Sequence, residues 1–146
     1  MTISFIERLR PSFGFLIAIS LSSPLVMLSL VPVSQTLALI SAILVPVGLI
    51  GLSIAAAPVI RVTESLSVAR INVPLEALGK ALVVPEDEVR SERGPKLSPA
   101  SKFMIRGDIK HLVKVPVTDE ADPTTYLLIS TRRPEELASA LNANRA

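Results

Sequence analysis

The chain of 146 residues contains no cysteine, and only 3% of its residues are aromatic. The absence of cysteine excludes disulfides, thiolate nucleophiles and cysteine metal ligands. Charge is also missing over one long interval, because no charged residue lies between Arg10 and Arg61. A bilayer about 30 Å thick requires helices of about 20 apolar residues. The interval is long enough for two such helices, so the sequence predicts a small membrane protein.

The predicted membrane spans are residues 13–31 and 36–57, with a turn between them. This divides the chain into an N-terminal cytoplasmic segment (1–12), a two-helix transmembrane hairpin (13–57) and a β-rich cytoplasmic domain with a C-terminal helix (58–146). A cleaved signal peptide is the main alternative for the first span. The apolar stretch is longer than the usual 7–15 residues of such a signal, and a second one follows at once, which favours the hairpin.

The charges that flank the hairpin predict its orientation. Arg8 and Arg10 precede the first span, Arg61 and Arg70 follow the second, and the connecting turn is uncharged. Since positive residues stay in the cytoplasm, we expect a multi-pass protein of the cell (inner) membrane with both termini in the cytoplasm.

Small residues at four-residue spacing in both spans predict close helix packing. The packing could lie within the hairpin or between two copies of the chain, so the oligomeric state stays open. Pro24 and Pro46 are expected to kink their helices. Neither span contains an ionisable residue, which disfavours a transporter or channel. The small residues are Gly14, Ala18 and Ser22 in the first span, and Ala38, Ala42, Gly51 and Ala55 in the second.

The segment after the hairpin is almost neutral, with 13 Lys and Arg residues against 12 Asp and Glu. This balance argues against nucleic acid as a partner, since a basic stripe would be expected. Its patterns predict an α+β domain, a small antiparallel sheet or partial barrel with a C-terminal helix, reminiscent of a pleckstrin-homology-like domain. The predicted strands are 59–63, 66–73, 78–84, 102–106, 111–117 and 125–130; the predicted helices are 85–90 and one that starts at Pro134.

Three stretches resemble the domain of unknown function 3093 family, a group of small actinobacterial membrane proteins. They are Glu-Arg-Leu at 7–9, Val-Pro-Leu-Glu-Ala-Leu-Gly at 73–79, and the segment 122–137, which contains Thr-Arg-Arg-Pro. Thr125 and Leu127 stand where the family usually has proline and tryptophan. The resemblance covers nearly the whole chain and implies no activity, cofactor or site residue.

Arg132 and Arg133 are the leading candidates for a functional site. They precede a helix N-terminus, where positive charge is slightly unfavourable, and arginine side chains suit anionic lipid headgroups and partner carboxylates. Arg61 and Arg70 are candidates for the same kind of contact beside the membrane. The structural alternative is an ion pair, since pairing of the last two strands would bring Arg132 near Lys110 and Asp108.

The remaining polar residues predict no catalytic or metal site. His111, the only histidine, lies in no Ser-His-Asp or metal-ligand pattern. The acidic residues Asp119, Glu120 and Asp122 are interpreted as a solvated turn, and Tyr126 as a packing residue. We therefore expect no cofactor and a non-enzymatic accessory or scaffold protein, whose domain binds a membrane-protein partner or the lipid bilayer. An enzyme at the membrane surface and a small transporter subunit are the alternatives.

Overall fold

The computed structural model describes residues 4–144. Its internal contacts divide the chain into two units, one made of residues 10–57 and the other of the chain before and after that interval. The second unit, called the domain below, therefore includes residues on both sides of the predicted hairpin. Sequence reasoning placed the first twelve residues in a segment of their own.

The hairpin unit contains three helices: α1 (Phe13–Ser20), α2 (Ser22–Leu30) and α3 (Gln35–Ala55). By length and composition, Phe13–Leu30 and Gln35–Ala55 are each able to cross a membrane. The first is interrupted at Leu21, because the ring of Pro24 conflicts with the carbonyl group four residues earlier. Ser12 and Ser34 cap α1 and α3 by accepting backbone N–H groups.

Small residues pack the helices of this unit together. Ala38, Ala42 and Pro46 recur every four residues on α3 and are buried. Ser23 on α2 donates a hydrogen bond to the Ala42 carbonyl oxygen at 2.7 Å. This confirms the predicted small face around Ala38 and Ala42. A side chain added at Gly14 would meet nothing within 4 Å. Gly14, which belongs to the predicted small face of the first span, therefore does not pack closely against another helix.

The first sheet of the domain contains four strands: β1 (Phe5–Arg8), β2 (Val59–Val62), β3 (Ser65–Val68) and β4 (Ile71–Pro74). They form an antiparallel meander in the order β1-β2-β3-β4. Strand β1 was not predicted, and it precedes the hairpin while its partner β2 follows it. The single strand predicted at 66–73 is wrong, because the chain turns at Ala69, which has a φ of 52°.

The second sheet contains β5 (Leu82–Val83), β6 (Lys102–Met104), β7 (Leu112–Pro116) and β8 (Tyr126–Ser130). Its order is β5-β7-β8-β6, and it is not purely antiparallel, since β6 runs parallel to β8. The expected strand at 78–84 is reduced to an isolated bridge at Leu78 and the two-residue strand β5.

Helices complete the domain. A 3₁₀ turn covers Leu75–Ala77, α4 covers Val89–Arg93 and α5 covers Pro134–Ala143. The predicted helix at 85–90 starts later, because residues 85–88 form a turn in which Glu88 N donates to the Pro85 carbonyl oxygen. The predicted start of the terminal helix at Pro134 is confirmed.

Two hydrophobic clusters share the strand β8. The main core joins the inward sides of both sheets to α5 through Leu137 and Leu141. A second cluster on the other face of β8 includes Tyr126, Leu128 and Val89 of α4. Tyr126 is buried, and its hydroxyl accepts a hydrogen bond from Ser98 N and donates one to the Lys96 carbonyl oxygen. The predicted packing role of Tyr126 is confirmed.

Candidate functional site

A carboxylate is buried in the first strand. Alternation along β1 turns Phe5 and Glu7 towards the core, while Ile6 and Arg8 point outwards and are exposed. The Glu7 side chain therefore enters the interior of the domain, where the residue is only 7% exposed. A buried carboxylate is costly unless hydrogen-bond donors surround it, so its partners are part of the fold.

Those partners come from the segment between β8 and α5. One oxygen of Glu7 accepts the hydroxyl proton of Thr131, and the other accepts Arg132 N–H at 3.0 Å. The Thr131 hydroxyl oxygen in turn accepts Arg133 N–H at 3.1 Å. We call Glu7, Thr131, Arg132 and Arg133 the Glu7 junction. It satisfies backbone donors ahead of α5, a position where N–H groups lack helical partners.

Arg106 makes further contacts next to the Glu7 junction. It donates to the Leu9 carbonyl oxygen at 2.9 Å and pairs with Asp108 at 3.0 Å. The Arg132 guanidinium lies 3.8 Å from the other oxygen of Asp108. The ion pair that strand pairing suggested between Arg132 and Asp108 is thus present. Arg106, which sequence reasoning did not single out, is the closer partner of that carboxylate.

Arg133 is held by contacts within the same domain. Its guanidinium pairs with Glu136 at 2.9 Å and donates to the Ile6 carbonyl oxygen at 2.8 Å. It also lies 4.8 Å from the centre of the Phe5 ring, within the range of a cation–π contact. The side chains of Arg132 and Arg133 nevertheless stay 39% and 44% exposed. Both therefore have a local structural role and an accessible surface.

The structure does not bring Arg61 and Arg70 into the Glu7 junction. Arg61 points outwards from β2, between Ile6 of β1 and Ser67 of β3. Arg70 is exposed in the turn between β3 and β4. Both cations are accessible on the first sheet.

The other polar candidates lie apart from the Glu7 junction. His111 is half-buried, with its Nδ1 atom 3.7 Å from a Glu86 oxygen. Hydrogen bonds from Thr124, with a further contribution from Lys102 at 3.2 Å, lower the pKa of Asp122 to about 2. Asp119 accepts Ala121 N–H in the same turn. Within residues 4–144, no group of three or more His, Cys, Asp or Glu side chains is placed to hold a metal ion.

Sequence reasoning did not single out the Glu7 carboxylate as buried. Burial alternates along residues 4–10 in the structure, but polarity does not alternate in the sequence, since Ile6 is apolar and exposed while Glu7 is acidic and buried. The arrangement as a whole can fix the domain's N-terminal strand and offer two arginines to an anionic group. The hydroxyl of Thr131, whose proton the Glu7 carboxylate accepts, is itself buried.

The family model described as "Protein of unknown function (DUF3093)" matches residues 4–141. No curated protein and no solved structure matches the chain.

Removing the Glu7 carboxylate should destabilise the domain. In Glu7→Ala, the Thr131 hydroxyl and the Arg132 N–H lose their acceptor in a buried site, and we expect a loss of about 2–4 kcal/mol. Glu7→Gln keeps one acceptor oxygen and should lower the free energy of unfolding by less than Glu7→Ala does. Urea unfolding of the full chain in mild detergent measures the difference.

The matched control is Glu120→Ala, which removes an exposed carboxylate from a turn. It should change the free energy of unfolding by no more than about 0.5 kcal/mol. Equal stability of Glu7→Ala and Glu120→Ala would show that the Glu7 junction does not hold the domain together.

Proposed function

The chain belongs to the DUF3093 family, and we propose that it is an integral membrane protein that acts as a non-enzymatic accessory or scaffold. Two helices would cross the membrane, and the domain would lie in the cytoplasm as a binding module. The apolar helices support this, because no residue of Phe13–Leu30 is buried. Leu25, Leu28 and Ile43 are each more than 60% exposed, and lipid would cover such side chains.

The observation that carries the proposal is the pairing of β1 with β2. Arg8, before the hairpin, lies opposite Val59, after it. Leu9 N–H also donates to the Pro58 carbonyl oxygen at 2.9 Å. Two strands that pair must lie on the same side of a membrane, so the segment between them has to cross it an even number of times. Two spans meet this condition, and the flanking arginines favour the cytoplasm.

The outward face of the first sheet is the surface that best suits an anionic leaflet. Strand alternation turns Arg8 and Arg61 to this face together with Ile6 and Ser67. None of the strand residues that point to this face is acidic; Glu64 lies in a turn. Each basic residue near an anionic surface contributes about 1 kcal/mol to binding. We propose that this face and Arg70 contact the inner leaflet.

A protein partner is the second candidate for the binding role. Arg132 and Arg133 remain partly exposed while the Glu7 junction fixes their backbone. Preorganised arginines favour binding of a partner carboxylate, because less conformational freedom is lost. A pleckstrin-homology-like architecture is part of the same proposal, supported by two four-stranded sheets followed by a C-terminal helix.

Topology can be measured by thiol labelling, because the chain has no cysteine of its own. We expect a membrane-impermeant maleimide to label Val33→Cys, in the turn between the spans, in intact cells. Ser139→Cys, exposed on α5, should be labelled only after the membrane is permeabilised. Labelling of Ser139→Cys in intact cells would overturn the orientation.

Leaflet contact can be measured with the full chain in lipid nanodiscs. A fluorophore at Ser67→Cys should be quenched by headgroup-attached quenchers more strongly in anionic than in neutral lipid, because Arg61 and Arg70 favour the charged surface. A fluorophore at Ser139→Cys serves as the control position. Arg61→Gln with Arg70→Gln should abolish the difference between the lipids. The proposed contact is wrong if Ser67→Cys is quenched equally in both.

A further inference from the structure

A cavity of about 310 Å³ lies between α4 and the start of β7, and none of its lining residues belongs to the Glu7 junction. Val89, which belongs to the second hydrophobic cluster, forms part of its lining. The other lining residues are Arg90, Arg93, Lys110 and Glu86. The lining of this partly apolar cavity therefore contains three cations and one carboxylate.

The local fold explains why the cations converge. Arg90 and Arg93 are three residues apart on α4, which places them on neighbouring positions of one helix face. Val89 and Glu92 of the same helix are buried against the domain. Lys110 precedes β7, next to Ile109, whose carbonyl oxygen accepts a hydrogen bond from Arg93. That bond ties α4 to the start of β7.

The acids around the cavity do not neutralise these cations. Glu88 pairs with Lys96, Glu92 with Lys114, and Asp108 with Arg106. Glu86 lies 3.7 Å from His111, and Asp87 is exposed beside a neighbouring hollow that Arg90 also lines. No described carboxylate lies within 4.0 Å of a nitrogen of the three cations: Arg90, Arg93 and Lys110.

One donor of a residue that lines the cavity is buried without an acceptor. The Nε atom of Arg93 is inaccessible, and no described group accepts its proton. A buried donor that is left unsatisfied costs about 1–3 kcal/mol. Because this atom is closed to solvent, an anion in the cavity would meet the cationic charge of the Arg93 guanidinium beside those of Arg90 and Lys110.

We propose that this cavity binds a phosphate group carried as a monoester or as free phosphate. A phosphate monoester carries about two negative charges at neutral pH and three acceptor oxygens, which matches an arginine pair and a lysine. Arginine provides directional donors and lysine a point charge for such a group. The group could come from a soluble phosphate compound or from a lipid headgroup. The inference concerns a second site and is independent of the proposed topology.

The test uses the full chain in neutral detergent and inorganic phosphate as the probe. Calorimetry should show saturable binding, and the Arg93 Nε–H resonance should shift in ¹⁵N spectra. Arg90→Gln with Lys110→Gln should weaken binding by about tenfold or more, because two charged contacts are lost. This variant keeps the Arg93 bond to the Ile109 carbonyl oxygen.

The matched control is Lys80→Gln with Lys102→Gln, which removes two positive charges from exposed positions outside the cavity. It should bind phosphate like the unchanged chain. Glu86→Gln should tighten binding, since it removes the only carboxylate from the lining, whereas Glu120→Gln should not. Equal weakening in the two double variants, or no saturable binding up to about 10 mM phosphate, would overturn the proposal.

Lipid nanodiscs then identify the source of the phosphate. If phosphatidic acid in the bilayer competes with inorganic phosphate and phosphatidylcholine does not, the site takes a lipid headgroup. If phosphate binds equally well in both bilayers, the site takes a soluble phosphate compound. Either result supports a phosphate site.

Discussion

The interaction on which the rest of the domain depends is the hydrogen bonding of the buried Glu7 carboxylate. It joins residues 124 positions apart, since its acceptor oxygen meets the hydroxyl of Thr131. A buried carboxylate without donors would be strongly unfavourable, so β1 can occupy the first sheet only when the segment before α5 is in place. Strand β1 and the C-terminal helix are therefore parts of one folded unit. The apolar hairpin is an insertion between two strands of that unit.

The Glu7 junction joins two of the three stretches that resemble the DUF3093 family. Glu-Arg-Leu at 7–9 and Thr-Arg-Arg-Pro at 131–134 are far apart in sequence but in contact in the domain. Arg133 reaches back to the Ile6 carbonyl oxygen, and Arg106 reaches the Leu9 carbonyl oxygen. Arg106 and Arg133 thus stabilise the first strand, and the partly exposed charge of Arg133 remains accessible.

Patterns that are local in sequence predicted the structure best. The two apolar runs, the start of α5 at Pro134 and the pairing of β7 with β8 were all predicted, and the last of these placed Arg132 near Asp108. Strand β1 was missed because its partner lies about fifty residues away, across the hairpin. The turn at Ala69 was missed because alanine with positive φ gives no turn signal. The parallel pairing of β6 with β8 and the convergence of Arg90 and Arg93 with Lys110 depend on tertiary packing.

Native-state hydrogen exchange of the full chain in detergent tests most directly whether β1 is an integral part of the domain. The Leu9 amide donates to the Pro58 carbonyl oxygen, and the Leu128 amide lies in the buried strand β8. If the Glu7 junction holds β1 in place, the Leu9 amide should exchange only when the whole domain unfolds, as slowly as the Leu128 amide. A Leu9 amide that exchanges at the rate of an unprotected segment, while Leu128 stays protected, would contradict the account.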